Sequence, residues 1–326
     1  MRWPYVWLFW MATMAAAHAQ IQVSDHLLDR VQSGNSSSIV EGAISLQEVT
    51  QGQSALQPKV TNPTVIDFPE AARADLFGAV VKISFKNRSQ QQEICTGAII
   101  SEGMVLTAAH CLCGVLSSYK ITISYVLGVS QEVKSSEQPI LGRPKFFRSN
   151  PCGKPIVPGA DIGLLRFPPV NEQEIKRQFA ISHMIDVYRD DRAPSLIVAG
   201  FGLDETGQLA KDLQVGRVGI FSHFCSHGIA GCAAFREFML SSPLSGQSNI
   251  ATDTCKGDSG GPVLYYTRRG ESGYLNLVGI TSRAIRAAPH IPGIPCGGGG
   301  IYTAIGHSDV LDWLLTNGAI FRSIEN

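Results

Sequence analysis

The chain lacks an excess of charge of either sign. Its 326 residues contain 27 lysines and arginines and 27 aspartates and glutamates, so the formal net charge is zero. No long basic run occurs anywhere in the sequence. Proteins that bind nucleic acid or acidic membrane surfaces usually present clustered basic residues. We therefore expect neither nucleic acid nor an acidic membrane surface as a partner.

Long hydrophobic runs are missing after the N-terminus. The apolar run Trp3–Ala17 follows Arg2 and leads into Ala17-His18-Ala19, where small residues have the spacing that a signal peptidase requires. A membrane span is the alternative, but this run is too short to cross about 30 Å of hydrocarbon as a helix. The sequence therefore predicts a signal peptide over residues 1–19 and no membrane span in the mature form. The expected location is secreted and extracellular, or periplasmic in a bacterium.

Paired CxxC motifs, the usual half-sites for zinc, are absent, and Cys111-x-Cys113 is a poor substitute. The eight cysteines are instead spread along the chain. An even number of cysteines in an exported chain is typical of disulfides. We therefore expect disulfides, no metal and no cofactor. The count alone leaves the pairing open.

Sustained helical periodicity is scarce. Residues 20–59, rich in Ser, Gln and Gly, are predicted to form a propeptide or flexible leader. Further along, short runs rich in Val, Ile and Leu alternate with turn residues at strand spacing, which indicates an all-β sandwich or barrel. Near the end, Ser308 as a cap, an apolar stripe and Gly318 as a stop predict one amphipathic helix.

Ser259 lies among glycines in the segment TDTCKGDSGGP, Thr252–Pro262. Its spacing to Gly257 and Gly261 also fits the nucleophile elbow of α/β-hydrolases, which needs a buried strand before the serine and a helix after it. The preceding residues are mostly polar, and a strand-like run follows Pro262. An esterase of that fold is therefore the less favoured interpretation.

Two upstream residues are better partners for this serine. His110 ends an apolar run in LTAAHC, and Asp161 begins one in DIGLL, where a buried carboxylate needs a partner. Cys95 and Cys111 are near enough in sequence to pair, which would pin the histidine loop. The chain order His, Asp, Ser is that of chymotrypsin-type proteases and differs from that of subtilisins.

Six motifs carry a resemblance to a known family. The segments LTAAHC, DIGLL, VAGFG, DTCKGDSGGP, LVGITS and GGIYTAI resemble the landmark motifs of the trypsin/chymotrypsin family of serine proteases, in the same order, over about residues 77–318. The resemblance implies an all-β fold of two antiparallel six-stranded β-barrels of chymotrypsin type with a C-terminal α-helix. It places a peptidase domain over residues 60–326. Within it we predict barrel 1 at about 66–180, barrel 2 at about 190–306 and the helix at about 308–317.

The resemblance also implies a catalytic set. Ser259 would be the nucleophile, His110 its general base, and Asp161 the acid that orients the imidazole, as in the triad chemistry worked out on this family. The backbone N–H groups of Gly257 and Ser259 would form the oxyanion hole. Ser282 would donate a hydrogen bond to Asp161 from the substrate-binding strand.

The resemblance further implies a pocket for a basic side chain. Asp253, six positions before the serine, matches the acidic pocket floor of the trypsin-like branch, and Gly300 matches the pocket-wall glycine. A Cys255–Cys296 disulfide would brace this pocket. A buried carboxylate favours a cationic partner. The expected reaction is hydrolysis of peptide bonds after Arg or Lys in protein or peptide substrates.

The sequence departs from the family beside this pocket. Arg283 and Ala284 follow Ser282 where the family usually has Trp and Gly, so the flat aromatic wall is lost and a methyl group is added where the substrate backbone passes. We therefore expect Ala284 and its neighbours to alter the preference for substrate residues that bind outside the primary pocket. Cys225–Cys232 encloses a short loop and is expected to pair, which leaves Cys113–Cys152 by elimination.

The protein is expected to be made as an inactive zymogen that is activated by cleavage near its N-terminus. The resemblance implies that a newly cut N-terminal ammonium pairs with Asp258, and that an activating protease and protein inhibitors are partners. The sequence favours cleavage at Lys59–Val60; Ile39 and Ile66 are the alternatives, each without a preceding basic residue. The competing hypothesis for the whole chain is a catalytically weak serine protease homologue that acts as a binding or regulatory protein.

Overall fold

A computed structural model describes twelve segments of the chain, and all structural statements refer to these segments: residues 78–86, 92–114, 120–127, 132–168, 179–189, 196–203, 207–210, 213–225, 231–241, 253–269, 272–285 and 299–320. The predicted signal peptide, the leader, the Lys59–Val60 site with its alternatives, and Cys296 lie outside the described residues.

The first half of the described chain forms one antiparallel sheet of seven strands in the order β5-β4-β1-β2-β3-β7-β6. Its first four strands each contain Val, Ile or both, whose branched side chains suit a pleated surface. They are β1 (Val80–Lys86), β2 (Gln92–Ser101), β3 (Met104–Thr107), β4 (Lys120–Leu127), β5 (Glu132–Pro139), β6 (Lys145–Phe146) and β7 (Gly163–Arg166). No pairing among these described strands joins β5 to β6. Closure of the sheet into a barrel therefore stays a prediction.

The second half forms a closed barrel. Its strands are β8 (Ala180–Ile181), β9 (Leu196–Gly200), β10 (Gln214–Ser222), β11 (Glu237–Ser241), β12 (Pro262–Arg269), β13 (Ser272–Ala284) and β14 (Gly300–Ala304). Six of them follow the order β12-β9-β10-β11-β14-β13, and β13 pairs back onto β12. The short β8 adds to β13 in parallel. The fold is therefore mostly β with one closed six-stranded barrel.

Helices are few in the described residues. Helix α1 spans Met184–Tyr188, which the sequence pattern did not predict, and α2 spans Ser308–Thr316. The prediction of Ser308 as the N-cap was wrong, because His307 occupies that position with extended backbone and Ser308 is the first helical residue. Only one face of α2 is covered: Val310 and Leu314 are buried, whereas Leu315 is 53% exposed. No helix in the described segments is long and apolar enough to cross a membrane.

One hydrophobic core joins the two sheets. It contains side chains of the first sheet, such as Ile99 and Leu106, and side chains of the barrel, such as Leu264 and Ile280, all at most 1% exposed. Burial of apolar surface at about 25 cal/mol per Å² favours this docking. The loop after β3 and the loop before β7 are thereby held against the barrel, where they carry the candidate site.

Candidate active site

His110 and Asp161 are brought together by two different loops. His110 lies in a 3-10 helix, Ala109–Gly114, directly after β3, and Asp161 lies just before β7, the strand that pairs with β3. The backbone N–H of His110 donates to Asp161 Oδ1 at 3.0 Å, and His110 Nδ1 lies 2.9 Å from Asp161 Oδ2. The carboxylate is buried, while the imidazole side chain is 29% exposed. The ring is thus fixed at one nitrogen and open to solvent on its other side.

Asp161 has a third hydrogen-bonding partner from the barrel. The Ser282 hydroxyl, in β13, donates to Asp161 Oδ2 at 2.6 Å. Burial by itself raises the pKa of Asp161, but the hydrogen bond and charge of His110, with the Ser282 hydrogen bond, outweigh it and lower the pKa below its ordinary value. Asp161 is therefore an ionised carboxylate at neutral pH, and it can stabilise a positive charge on the imidazole.

The segment that contains Ser259 lies beside the histidine loop. The Ser259 carbonyl accepts a hydrogen bond from the N–H of Thr96 at 2.9 Å and lies 3.5 Å from Cys111 Sγ. The Cys95–Cys111 disulfide is present and holds the 3-10 helix to β2. His110 Nε2 lies 3.8 Å from Cys111 Sγ. Among the described residues, no hydrogen bond joins the Ser259 hydroxyl to His110, so the predicted triad is only partly assembled.

The turn around Ser259 leaves two amides available. Gly257 has φ of 103°, and a Cβ there would lie 2.8 Å from the Gly202 Cα, so the position requires glycine. The Thr96 hydroxyl donates to the Gly257 carbonyl at 3.0 Å and holds the turn to β2. Within the described part of the chain, the N–H groups of Gly257 and Ser259 donate to no protein acceptor. Two such donors in one turn can bind a developing oxyanion.

Asp258 is buried behind this turn. Its carboxylate accepts hydrogen bonds from the N–H of Gly202 at 2.7 Å and the N–H of Cys255 at 2.8 Å. Gly200 and Gly202 make room for it, since a Cβ at either would lie within 2.6 Å of the carboxyl. Burial raises the pKa of Asp258 to about 7, and the negative charge of Asp253 adds to the effect, whereas the two amide donors oppose it. A nearby cation would be favourable here.

Asp253 is also buried, at 4% exposure. Its Oδ1 accepts from the N–H of Thr254 at 2.8 Å, and its Oδ2 accepts from the N–H of Gly299 at 3.0 Å. Gly300 lies against Tyr302, whose hydroxyl oxygen would be 2.8 Å from a Cβ at position 300. The structure thus brings Asp253 and Gly300 to the same end of β14.

Tyr302 lies beside Gly300 and Thr254, close to Asp253, and was not among the residues predicted from the sequence. Its hydroxyl lies 3.0 Å from the Thr254 hydroxyl. Burial, and then the nearby charge of Asp253, raises the pKa of Tyr302 well above its ordinary value, so the phenol is neutral. The available signal was the alternation along β14, which directs Gly300 and Tyr302 to one face.

The two departures from the family pattern differ in their surroundings. Ala284 is exposed at the end of β13 and is paired with Gly300 across the strands. Arg283 forms an ion pair with the buried Glu237 of β11, with a distance of 2.7 Å between Nη1 and Oε1. Glu237 had no distinguishing sequence signal, because nothing local marks an acid within a strand as the partner of a distant arginine.

The remaining cysteines follow the expected pairs as far as they are described. The structure has Cys113–Cys152 and Cys225–Cys232 disulfides. Cys255 is disulfide-bonded, and Cys296, its predicted partner, lies outside the described residues. Cys95, His110 and Cys111 are the one close grouping of potential metal ligands in the described segments. Their two sulfurs form a disulfide and are not thiolates, so this grouping does not suit a metal ion.

A mostly β fold with a closed six-stranded barrel, and a buried aspartate that orients a histidine beside a serine-bearing turn, are features of chymotrypsin-type proteins. A family profile described as Trypsin matches residues 69–314. The chain therefore belongs to the trypsin family of trypsin/chymotrypsin-like serine proteases.

Individual relatives are distant. The chain is 29% identical to coagulation factor XII of Bos taurus, over 53% of this chain and 29% of that protein. It is 28% identical to phenoloxidase-activating factor 3 of Holotrichia diomphalia, over 68% of this chain and 63% of that protein. It is 29% identical to a trypsin of Saccharopolyspora erythraea, over 70% of this chain and 90% of that protein. The matched region therefore covers less than two thirds of the length of coagulation factor XII and of phenoloxidase-activating factor 3.

Proposed function

We propose that this protein is a secreted serine endopeptidase that hydrolyses peptide bonds after Arg or Lys, and that it is made as a zymogen. The observation that carries the proposal is the buried Asp161 carboxylate, which binds both His110 and Ser282 beside the turn of Ser259. We further propose that the first sheet closes into a barrel, the predicted barrel 1 of the chymotrypsin-type fold.

The proposed reaction has two halves. The Ser259 oxygen attacks the scissile carbonyl carbon while His110 takes the hydroxyl proton, and the same proton then passes to the leaving amine as the carbon–nitrogen bond breaks. The product is a Ser259 acyl ester. Water, deprotonated by His110, attacks that ester, and His110 returns the proton to the Ser259 oxygen as the ester carbon–oxygen bond breaks and the new carboxyl group is released. Asp161 keeps the imidazole oriented and stabilises its protonated form.

The oxyanion formed in each half is proposed to bind the N–H groups of Gly257 and Ser259. One such donor typically contributes about 3 kcal/mol to transition-state stabilisation. The two amides have no protein acceptor in the described residues, which supports this role.

Substrate choice is proposed to depend on Asp253. Burial of this carboxylate beside the neutral Tyr302 phenol makes a cationic substrate side chain favourable. Activation is proposed to depend on Asp258, because a new N-terminal ammonium would stabilise a carboxylate that burial otherwise destabilises. The Arg or Lys preference and the zymogen rest on the family resemblance, whereas the export rests on the signal peptide that the sequence predicts over residues 1–19.

A second candidate function is a catalytically weak homologue that binds a partner protein. One observation favours it: His110 Nε2 lies 3.8 Å from Cys111 Sγ, and no hydrogen bond joins it to the Ser259 hydroxyl. Hydrogen bonds of catalytic groups are often long or poorly aligned before substrate binds. The position of His110 relative to Ser259 is therefore compatible with an active protease, and we prefer the protease to the binding protein as the proposed function.

Labelling with a fluorophosphonate separates the two candidates. The reagent phosphonylates an activated serine and releases fluoride, whatever the side-chain specificity of the pocket. We expect the full chain to be labelled after limited trypsin treatment, and Ser259→Ala to remain unlabelled. A folded protein that stays unlabelled before and after this treatment would favour the binding function.

A further inference from the structure

Glu237 is a buried acid for which the proposed reaction has no use. It begins β11, its side chain is fully buried, and it accepts four hydrogen bonds. Two come from backbone amides, those of Gly159 and Ala233, each at 2.8 Å. The other two come from Arg283, whose Nη1 lies 2.7 Å from Oε1 and whose Nη2 lies 2.8 Å from Oε2. This bidentate pair fixes the plane of the guanidinium.

The fixed guanidinium reaches the candidate site through Ser282. Arg283 Nη1 donates to the Ser282 hydroxyl oxygen at 3.1 Å, and Nη2 also donates to the carbonyl of Gly231. A guanidinium has donors and no acceptor. The Ser282 proton therefore cannot point toward Arg283 and is left to Asp161 Oδ2, at 2.6 Å. Arg283 thereby orients a hydroxyl that would otherwise rotate.

The same carboxylate also holds the loop before Asp161. The N–H of Gly159, two positions upstream, donates to Glu237 Oε1 at 2.8 Å. Gly159 has φ of 72°, and a Cβ there would lie 2.6 Å from the Arg236 Cβ, so the loop packs directly on β11. Two connections thus lead from Glu237 to Asp161: one through the backbone of Gly159 and one through Arg283 and Ser282.

We propose that Arg283, held by Glu237, is a positioning residue for the candidate triad, and that it acts by orienting the Ser282 hydroxyl toward Asp161. This inference rests on the proposed function. Because both terminal nitrogens of the guanidinium, Nη1 and Nη2, donate to Glu237, the charge of Arg283 is compensated within the protein. The position that departs from the family's aromatic residue thus serves the catalytic acid rather than a charged substrate group.

The test measures fluorophosphonate labelling of the trypsin-activated full chain over a range of reagent concentrations. Arg283→Met should lower the limiting rate of labelling about tenfold, the equivalent of one hydrogen bond, and leave the half-saturating concentration unchanged. Arg283→Lys keeps the charge opposite Glu237 and so protects the fold, but it cannot hold two carboxylate oxygens and Ser282 together. It should show a smaller loss in the same direction.

A double-mutant cycle with Ser282→Ala identifies the route. If Arg283 acts through Ser282, then Arg283→Met should cause no further loss once the hydroxyl has been removed. Arg236→Met is the matched control, because Arg236 is the neighbour of Glu237 and its Nη1 pairs with Asp309. This variant should shift the melting temperature and leave the labelling rate unchanged.

Three results would overturn the inference while the proposed function stands. The first is an unchanged limiting rate in both Arg283 variants, with Ser259→Ala still unlabelled. The second is an additive loss in the double variant. The third is an effect on the half-saturating reagent concentration alone, which would place Arg283 against the substrate. An unlabelled wild-type protein would instead contradict the proposed function itself.

Discussion

Ser282 and Asp161 are joined by a hydrogen bond of 2.6 Å from the Ser282 hydroxyl to Asp161 Oδ2, although 121 positions separate them in the sequence. Ser282 belongs to strand β13 of the closed barrel, and Asp161 lies just before β7 of the first sheet. The oxygen that accepts this bond also faces His110 Nδ1. The carboxylate that orients the imidazole is therefore itself held in place by the docking of the two halves.

Asp161→Asn should nearly abolish activity. Asparagine keeps the size of the side chain but loses the charge that stabilises a protonated imidazole. The limiting labelling rate should fall about 10³–10⁴-fold, the size of effect established for this triad chemistry. Asp312→Asn, an exposed aspartate of α2, is the control and should label like wild type. A tenfold loss or less at position 161 would contradict the role assigned to this acid.

Asp258 should make the uncleaved chain less stable as the pH rises. Its pKa is raised from 3.8 to about 7 by burial, so the folded state retains a proton that the unfolded state has lost. The stabilising contribution is therefore present below about pH 4 and lost as the pH rises through about 7. Urea unfolding between pH 4 and 8 should show this slope in wild type and a flatter curve in Asp258→Asn.

The activated protein provides the contrast for that measurement. If a new N-terminal ammonium pairs with Asp258, it lowers the pKa and should flatten the wild-type curve as well. Identical slopes in the uncleaved and cleaved proteins would argue against the proposed activation ion pair. Parallel curves for wild type and Asp258→Asn would instead show that Asp258 is not the titrating group.

Gly257→Ala should impair labelling more than it impairs folding. An alanine at φ of 103° is strained, and its Cβ would lie 2.8 Å from Gly202 Cα, which displaces the amide proposed for the oxyanion hole. The expected loss in limiting rate is about 10²–10³-fold, as for removal of one oxyanion donor. Gly142→Ala is the matched control, since Gly142 has φ of 76° and nothing lies within 4 Å of its Cβ position. Equal losses in both variants would refute the prediction.

Asp253→Asn should change substrate choice without changing the reactivity of the serine. Asparagine keeps one acceptor oxygen, for the amide of either Thr254 or Gly299, and has no charge for a basic substrate side chain. The preference for Arg over Leu peptides, measured as the ratio of kcat/KM values, should fall about 10²-fold or more. The fluorophosphonate rate should stay at the wild-type level. A retained Arg preference would exclude Asp253 as the determinant.

The family and the main site residues follow from local patterns in the sequence. The runs that form β3, β7 and β9 are short and apolar, and His110, Asp161 and Ser259 lie in motifs whose neighbours mark them. Such signals extend over fewer than about ten residues, the length of a strand with its turn. These local signals suffice to assign the chain to the trypsin family. They also identify His110 and Asp161, which the structure places in contact with each other.

The distant side chains that meet around Asp161 follow from the docking of the sheets. The bonds from Arg283 to Glu237 span 46 positions, and the bond from Gly159 to Glu237 spans 78. Nothing near Glu237 in FREFML distinguishes it from an exposed acid, and the only signal for Tyr302 is the strand alternation that places it on the same face as Gly300. A buried charge selects its partners by distance and desolvation, and both arise only when the sheets dock. The sequence by itself thus determined the family and the candidate residues, whereas the docking of the two halves decided that Arg283 faces Glu237 and Ser282.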